Sequence, residues 1–144
     1  MSTKLILRNY LSPGDIVMLT AAVRDLHQCY PGQFVTDVRT PYPQLWENNP
    51  YLTPLDEKDP EVKSIDCHYP LVQRSNQEPY HFIHAFIAFL NDQLQLNIKP
   101  TAFRGDIHVS DLERSWHSQI REIVGDWIVM APASRRLASL LAGG

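Results

Sequence analysis

The order of elements in the first forty residues constrains the fold more than any other stretch. Residues 4–8 (KLILR) form a short apolar run that suits a buried parallel strand. A tight connection follows, Leu11-Ser12-Pro13-Gly14-Asp15. Next, Ile16, Leu19, Val23, Leu26 and Tyr30 recur at helical spacing, with Arg24, Asp25 and Gln28 falling on the other side. Ser12 is placed to be the N-cap, Pro13 the first helical residue and Asp15 the acid of a capping box. Tyr30-Pro31-Gly32 stops the helix, and residues 34–38 (FVTDV) read as a second strand. Strand, helix, strand is a βαβ unit, and in such units ligands bind outside the carboxyl ends of the strands. Asp15 falls there.

The remainder extends the alternation. Residues 43–47 suggest one helical turn, and residues 65–69 a third strand. Prolines concentrate between Pro41 and Pro79, so that region is expected to be rich in loops. Residues 80–96 give the clearest helix, with Ile83, Phe86, Ile87, Leu90 and Leu94 as its apolar stripe and Phe82 and Phe89 widening it. Residues 106–109 read as a short extended segment. Ser110-Asp111-Leu112-Glu113 opens a helix to about residue 123, and residues 127–131 read as a buried strand. Trp116 and Trp127 are expected in the core. The class is α/β: a Rossmann-like, three-layer domain with a mainly parallel sheet.

Bulk properties narrow the function classes. A chain of 144 residues is long enough for one domain with a real core. A net charge of −3 argues against nucleic acid as the main partner. No apolar run is long enough for a transmembrane helix. Cys29 and Cys67 lack CxxC spacing, which favours a reduced, cytoplasmic setting.

The Ser12-Pro13-Gly14-Asp15 connection carries the sharpest chemical signal. Gly14 lets backbone approach a ligand, and the free N–H groups of a helix start suit an anion such as phosphate. Asp15 is the candidate general base for a hydroxyl nucleophile, in a closed site that orients it. The competing reading is a capping box that only starts a helix. Gly14 is the only glycine in the connection after the first strand, so there is no GxGxxG there, and no GxxxxGK[ST] occurs. Dinucleotide and P-loop functions are therefore disfavoured, and no cofactor is expected. Arg39, just past the second strand, lies on the same sheet edge as Asp15; it is either ligand-facing or part of a solvated loop. His81 and His84 share a helix face. They suggest a sugar or phosphate pocket more than a metal site, since no HExxH occurs.

Taken together, these pieces resemble a known family. I-L-R (residues 6–8, against I-L-x-R in the family pattern), S-x-G-D, a helix with T-x-A-x-R-x-L, Y-P-G, V-R-T-P and N-P-Y-L occur in order. They are carried here by Leu7, Arg8, Ser12, Gly14, Asp15, Thr20, Ala22, Arg24, Leu26, residues 30–32, residues 38–41 and residues 49–52. This resembles the amino-terminal half of the family 9 glycosyltransferases, the ADP-heptose:lipopolysaccharide heptosyltransferases and their relatives. Residues 81–84, 99–101 and 105–109 also resemble a subgroup of that family, so the resemblance spans about residues 4–131. It implies one half of a GT-B architecture, whose amino-terminal domain binds the acceptor sugar and whose other domain binds the nucleotide sugar. It also implies an inverting reaction without metal. Asp15 would be the base on the acceptor hydroxyl, with Ser12 and Gly14 supporting the acceptor or the donor phosphate. Where the family often has proline in this helix, Ala21 stands here.

Further expectations concern the end of the chain. The composition shifts at residue 132 to a basic, Ala/Leu-rich tail containing Arg135 and Arg136. The sequence thus divides into an acceptor-binding domain, 1–131, and an atypical tail, 132–144, which resembles a replacement for the donor domain. On that reading an ADP-heptose-like nucleotide sugar is a partner only when a donor domain is present, and the chain alone is inactive. A cell-envelope saccharide is the acceptor. Peripheral contact with the inner face of the membrane and self-association through an uncovered sheet face are the remaining partner expectations. The alternative function is a non-catalytic sugar- or phosphate-binding α/β module. A regulatory domain of flavodoxin-like layout fits less well, because Asp37 and Asp66 fall inside strands rather than at a phosphoacceptor position.

Overall fold

The computed structural model describes residues 1–68 and 81–116. The chain divides into a unit spanning Met1–Ser110 and a second unit beginning at Asp111. The expected strand at residues 127–131 and the basic tail lie outside the described residues.

The first unit is a small Rossmann-like α/β domain. Its elements are β1 (Thr3–Arg8), α1 (Pro13–Cys29), β2 (Phe34–Arg39), a 3₁₀ turn (Pro43–Trp46), β3 (Val62–Asp66) and α2 (Ile83–Leu94). The sheet is wholly parallel in the order β2-β1-β3. Leu5, Ile6 and Leu7 of the central strand are fully buried, as a continuous apolar run predicts. The third strand lies earlier than residues 65–69. Its ladder runs from Lys4↔Val62 to Arg8↔Asp66 and stops where β1 stops. Cys67 then donates its N–H to the Arg8 carbonyl at 2.8 Å. Pairing with β1, rather than local apolarity, sets those bounds.

The two crossovers cover opposite faces. Leu5, Leu7 and Ile65 point into the core with Ile16, Leu19, Val23 and Leu26 of α1 and Phe86 and Leu90 of α2. Alternation puts Lys4, Arg8, Asp37 and Arg39 on the other face. There they bond to the β2–β3 connection: Lys4 to Asp59 and Glu61, Arg8 and Arg39 to Glu57, Asp37 to the Leu55 N–H. Apart from the 3₁₀ turn Pro43–Trp46, this connection is a loop, without an α-helix.

α1 starts and stops where its signals place it. Ser12 is the N-cap, Pro13 opens the helix, and the Asp15 carboxylate accepts the Ser12 N–H at 3.1 Å. Gly32 sits at φ +72°, a left-handed turn that favours glycine. The core stripe of α1 is as expected; on its outer side Gln28 is exposed but the charged pair is not. Arg24 and Asp25 are 5% and 0% exposed. After α2, the chain runs back along α1 from its end to its start. Asn97 N–H bonds Tyr30 Oη, Lys99 N–H reaches Cys29 Sγ, Thr101 bonds Asp25, and the Asp106 N–H bonds Thr20 Oγ1. That strap buries the polar pair that helical periodicity turned outward.

α2 begins at Ile83 rather than residue 80. Ile83, Phe86, Ile87 and Leu90 of its stripe are buried as expected, Leu94 is half-buried, and Phe82, just before the helix, is 49% exposed. Cys29 and Cys67 are free thiols. In the second unit α3 (Asp111–Arg114) begins where the capping box predicts, and Trp116 is exposed rather than core; residues 117–123 of the expected helix, and Trp127, lie outside the described residues. Among the described residues no helix is long and apolar enough to cross a membrane.

Candidate functional site

Strand order locates the site. In the order β2-β1-β3 the first crossover leaves β1 for β2 on one side and the second returns from β2 past β1 to β3 on the other, so the switch point lies at the carboxyl ends of β1 and β3. Open parallel sheets bind ligands at such points. A pocket of about 290 Å³ lies there, lined by Arg8, Tyr10 and Leu11 after β1 and by Asp66, Cys67 and His68 after β3.

Its lining offers both signs of hydrogen-bonding group and an aromatic face. Tyr10 is 68% exposed, Asp66 is an exposed carboxylate, and His68 packs edge-on against Phe89. The Arg8 Nε is buried without a hydrogen-bond partner. The neighbouring Asn9 is 2% exposed; its Oδ1 accepts the Leu11 N–H at 2.9 Å, while its Nδ2 has no partner. Arg8 also reaches Glu57 through Nη2 at 3.4 Å, on the face away from the core. Cys67 is not a nucleophile here, because burial, with a smaller contribution from the Asp66 charge, pushes its thiol up to about 12.

The β1–α1 connection brings Ser12, Gly14 and Asp15 together just beyond Leu11. Ser12 and Gly14 are exposed and Asp15 is half-buried. Asp15 Oδ2 accepts both the backbone N–H and the hydroxyl of Ser12. Open space surrounds Gly14, so an added Cβ would touch nothing within 4 Å.

Arg39 and His81 are not brought to this group. Arg39 sits at the carboxyl end of β2, paired with Arg8, but its guanidinium is committed elsewhere. It donates to Asp37 at 2.7 Å, to Glu57 at 2.9 Å and to the Leu55 carbonyl at 2.8 Å. The Asp37 hydrogen bond raises it above its ordinary value. His81 contacts Phe103 edge-on and His84 at 6.3 Å, and its Nδ1 accepts the Ile83 N–H. The sequence did not single out Arg8, Tyr10 and Asp66 as lining of this pocket. The exposed Tyr10-Leu11 pair after an apolar strand was the signal available for it.

Among the described residues no group of three or more His, Cys, Asp and Glu is arranged to hold a metal ion. No protein-family model, curated protein or solved structure matches this chain.

Proposed function

We propose that this chain is a saccharide-binding α/β domain acting as the acceptor half of a glycosyltransferase resembling family 9. The acceptor lies at the carboxyl edge of the sheet, with Asp15 as the base that takes the proton from its nucleophilic hydroxyl. One observation carries the saccharide reading: the Arg8 donors, the Asp66 carboxylate and the exposed Tyr10 ring line one small pocket. A sugar offers hydroxyl oxygens to the donors, hydroxyl protons to the carboxylate and a C–H face to the ring. The base reading draws on the Asp15 carboxylate accepting the Ser12 hydroxyl proton, which shows it able to engage a hydroxyl beside the pocket. Transfer itself requires a nucleotide sugar held opposite this edge, in the manner the resemblance implies.

A second reading is a binding module without chemistry. It is favoured by the two bonds from Ser12, which suffice to explain Asp15 as a helix cap.

Titration calorimetry with a deacylated lipopolysaccharide core oligosaccharide tests the shared part of both readings. Saturable binding is expected, with Tyr10→Ala weakening it about tenfold, or about 1.4 kcal/mol. Absence of saturable binding overturns the saccharide assignment. Asp15→Asn separates the readings in a transfer assay with a donor domain and nucleotide sugar supplied. Retained binding with lost transfer supports the base, and undiminished transfer leaves only the cap.

A further inference from the structure

A second pocket, distinct from the one between β1 and β3, opens where the strap reaches the start of α1. It measures about 450 Å³ and is lined by Val17, Arg104, Gly105, Asp106, Ile107 and His108. This falls within the range of about 300–1,000 Å³ usual for small-molecule sites.

Its frame is built rigidly. Gly105 lies so close to α1 that a Cβ there would come within 2.4 Å of Val17 Cγ1 and 3.2 Å of the Val17 carbonyl oxygen. On either side of it, buried Arg24 donates to the Arg104 carbonyl at 2.8 Å, and the Asp106 N–H bonds Thr20 Oγ1 at 2.8 Å. Asn48 Nδ2 reaches the His108 carbonyl at 3.5 Å. A connection without secondary structure is thus pinned on both sides of its glycine, and its side chains are presented from fixed backbone.

Those side chains form a complementary set. His108 Nε2 and Asp106 Oδ2 lie 2.7 Å apart. The carboxylate is an acceptor only, so in the neutral ring Nε2 carries the proton and Nδ1 keeps a free lone pair. The Arg104 side chain is exposed and makes no ion pair among the described residues. Val17 and Ile107 supply apolar wall, Ile107 being 43% exposed. The lining therefore offers a planar cation, an oriented acceptor and apolar wall.

We infer that this pocket binds a small polyol carrying a phosphate group: the phosphate on the Arg104 guanidinium, a ligand hydroxyl donating to His108 Nδ1. Arginine matches phosphate oxygens with paired donors, and Asp106 fixes the imidazole that selects the hydroxyl. The inference does not rest on the glycosyltransferase reading, since it concerns different residues and a different ligand group.

NMR titration of the ¹⁵N-labelled chain with glucose 6-phosphate, inorganic phosphate and glucose tests it. The sugar phosphate should bind saturably and shift the amides of residues 104–108 and the His108 ring, at least about tenfold more tightly than either fragment. Arg104→Met, which leaves the backbone carbonyl in place for Arg24, should weaken it about tenfold or more. His108→Phe should bring the sugar phosphate down to the level of inorganic phosphate. Equal responses to sugar phosphate and inorganic phosphate would show only ion pairing at an exposed arginine and overturn the inference. So would shifts confined to Tyr10–Asp15, or Arg104→Met binding unchanged with a dispersed, native-like spectrum.

Discussion

Asp25 holds the guanidinium of its immediate neighbour Arg24 through Nε at 3.0 Å and Nη2 at 3.4 Å, although adjacent helical residues do not ordinarily face each other. The strap makes this arrangement favourable. Arg24 spends its other donors on the Ala102 and Arg104 carbonyls, and Thr101 adds its hydroxyl to Asp25. The pair is thereby the bolt between α1 and the segment that carries the second pocket.

Removing one half of a buried pair leaves the other charged and unpaired, which costs about 3–5 kcal/mol. Asp25→Ala should lower the urea-denaturation free energy by that amount. A loss under about 1 kcal/mol would mean that the strap rearranges to satisfy Arg24.

Gly105→Ala pushes a methyl group against Val17 and its carbonyl. Overpacking of this kind costs about 1–3 kcal/mol. The same denaturation experiment reads it, and Val17→Ala should recover part of the loss in the double variant by clearing the nearest atom.

Asp15→Ala removes the carboxylate that caps the start of α1, at a cost of about 1 kcal/mol. Because the cap lies beyond the pocket lining rather than within it, saccharide affinity should change little while the melting temperature falls. Lost binding at unchanged stability would assign Asp15 to acceptor binding instead.

Stability should fall on mild acidification because of His27. Its ring is half-buried, bonded to Thr36 Oγ1 at 2.9 Å and stacked on Tyr51. Desolvation lowers its protonation point below the ordinary 6.5. The unfolded chain then binds the proton more readily than the folded one, so stability rises with pH across this window. It is fully present above about 6.5 and is lost as pH drops from there through the depressed folded-state value. Chemical denaturation between pH 7.5 and pH 5 checks this, and His27→Gln should flatten the dependence that the native chain shows.

Much of the fold was legible because local signals and tertiary structure agree. Ser12, Pro13 and Asp15 start α1, Tyr30-Pro31-Gly32 ends the helical run, and the apolar residues 5–7 are the buried centre of the sheet. What escaped depends on distant partners. The third strand is bounded by its register with β1, and Arg24 and Asp25 are buried only because residues 97–106 return along α1. The connection holding Ser12, Gly14 and Asp15 was readable as a unit. The involvement of Arg39 with Glu57 and Leu55 was not, since it arises from the crossover on the opposite face. The pocket beside Val17 needed a close approach at Gly105 that no spacing in the sequence encodes.

The central claim is that the switch point between β1 and β3 holds a saccharide. The most direct measurement is an amide shift map of the chain titrated with the deacylated core oligosaccharide. Saturable shifts clustered on Arg8–Asp15 and Asp66–His68 are the predicted result. A map that leaves those residues unmoved at saturating oligosaccharide would contradict the claim.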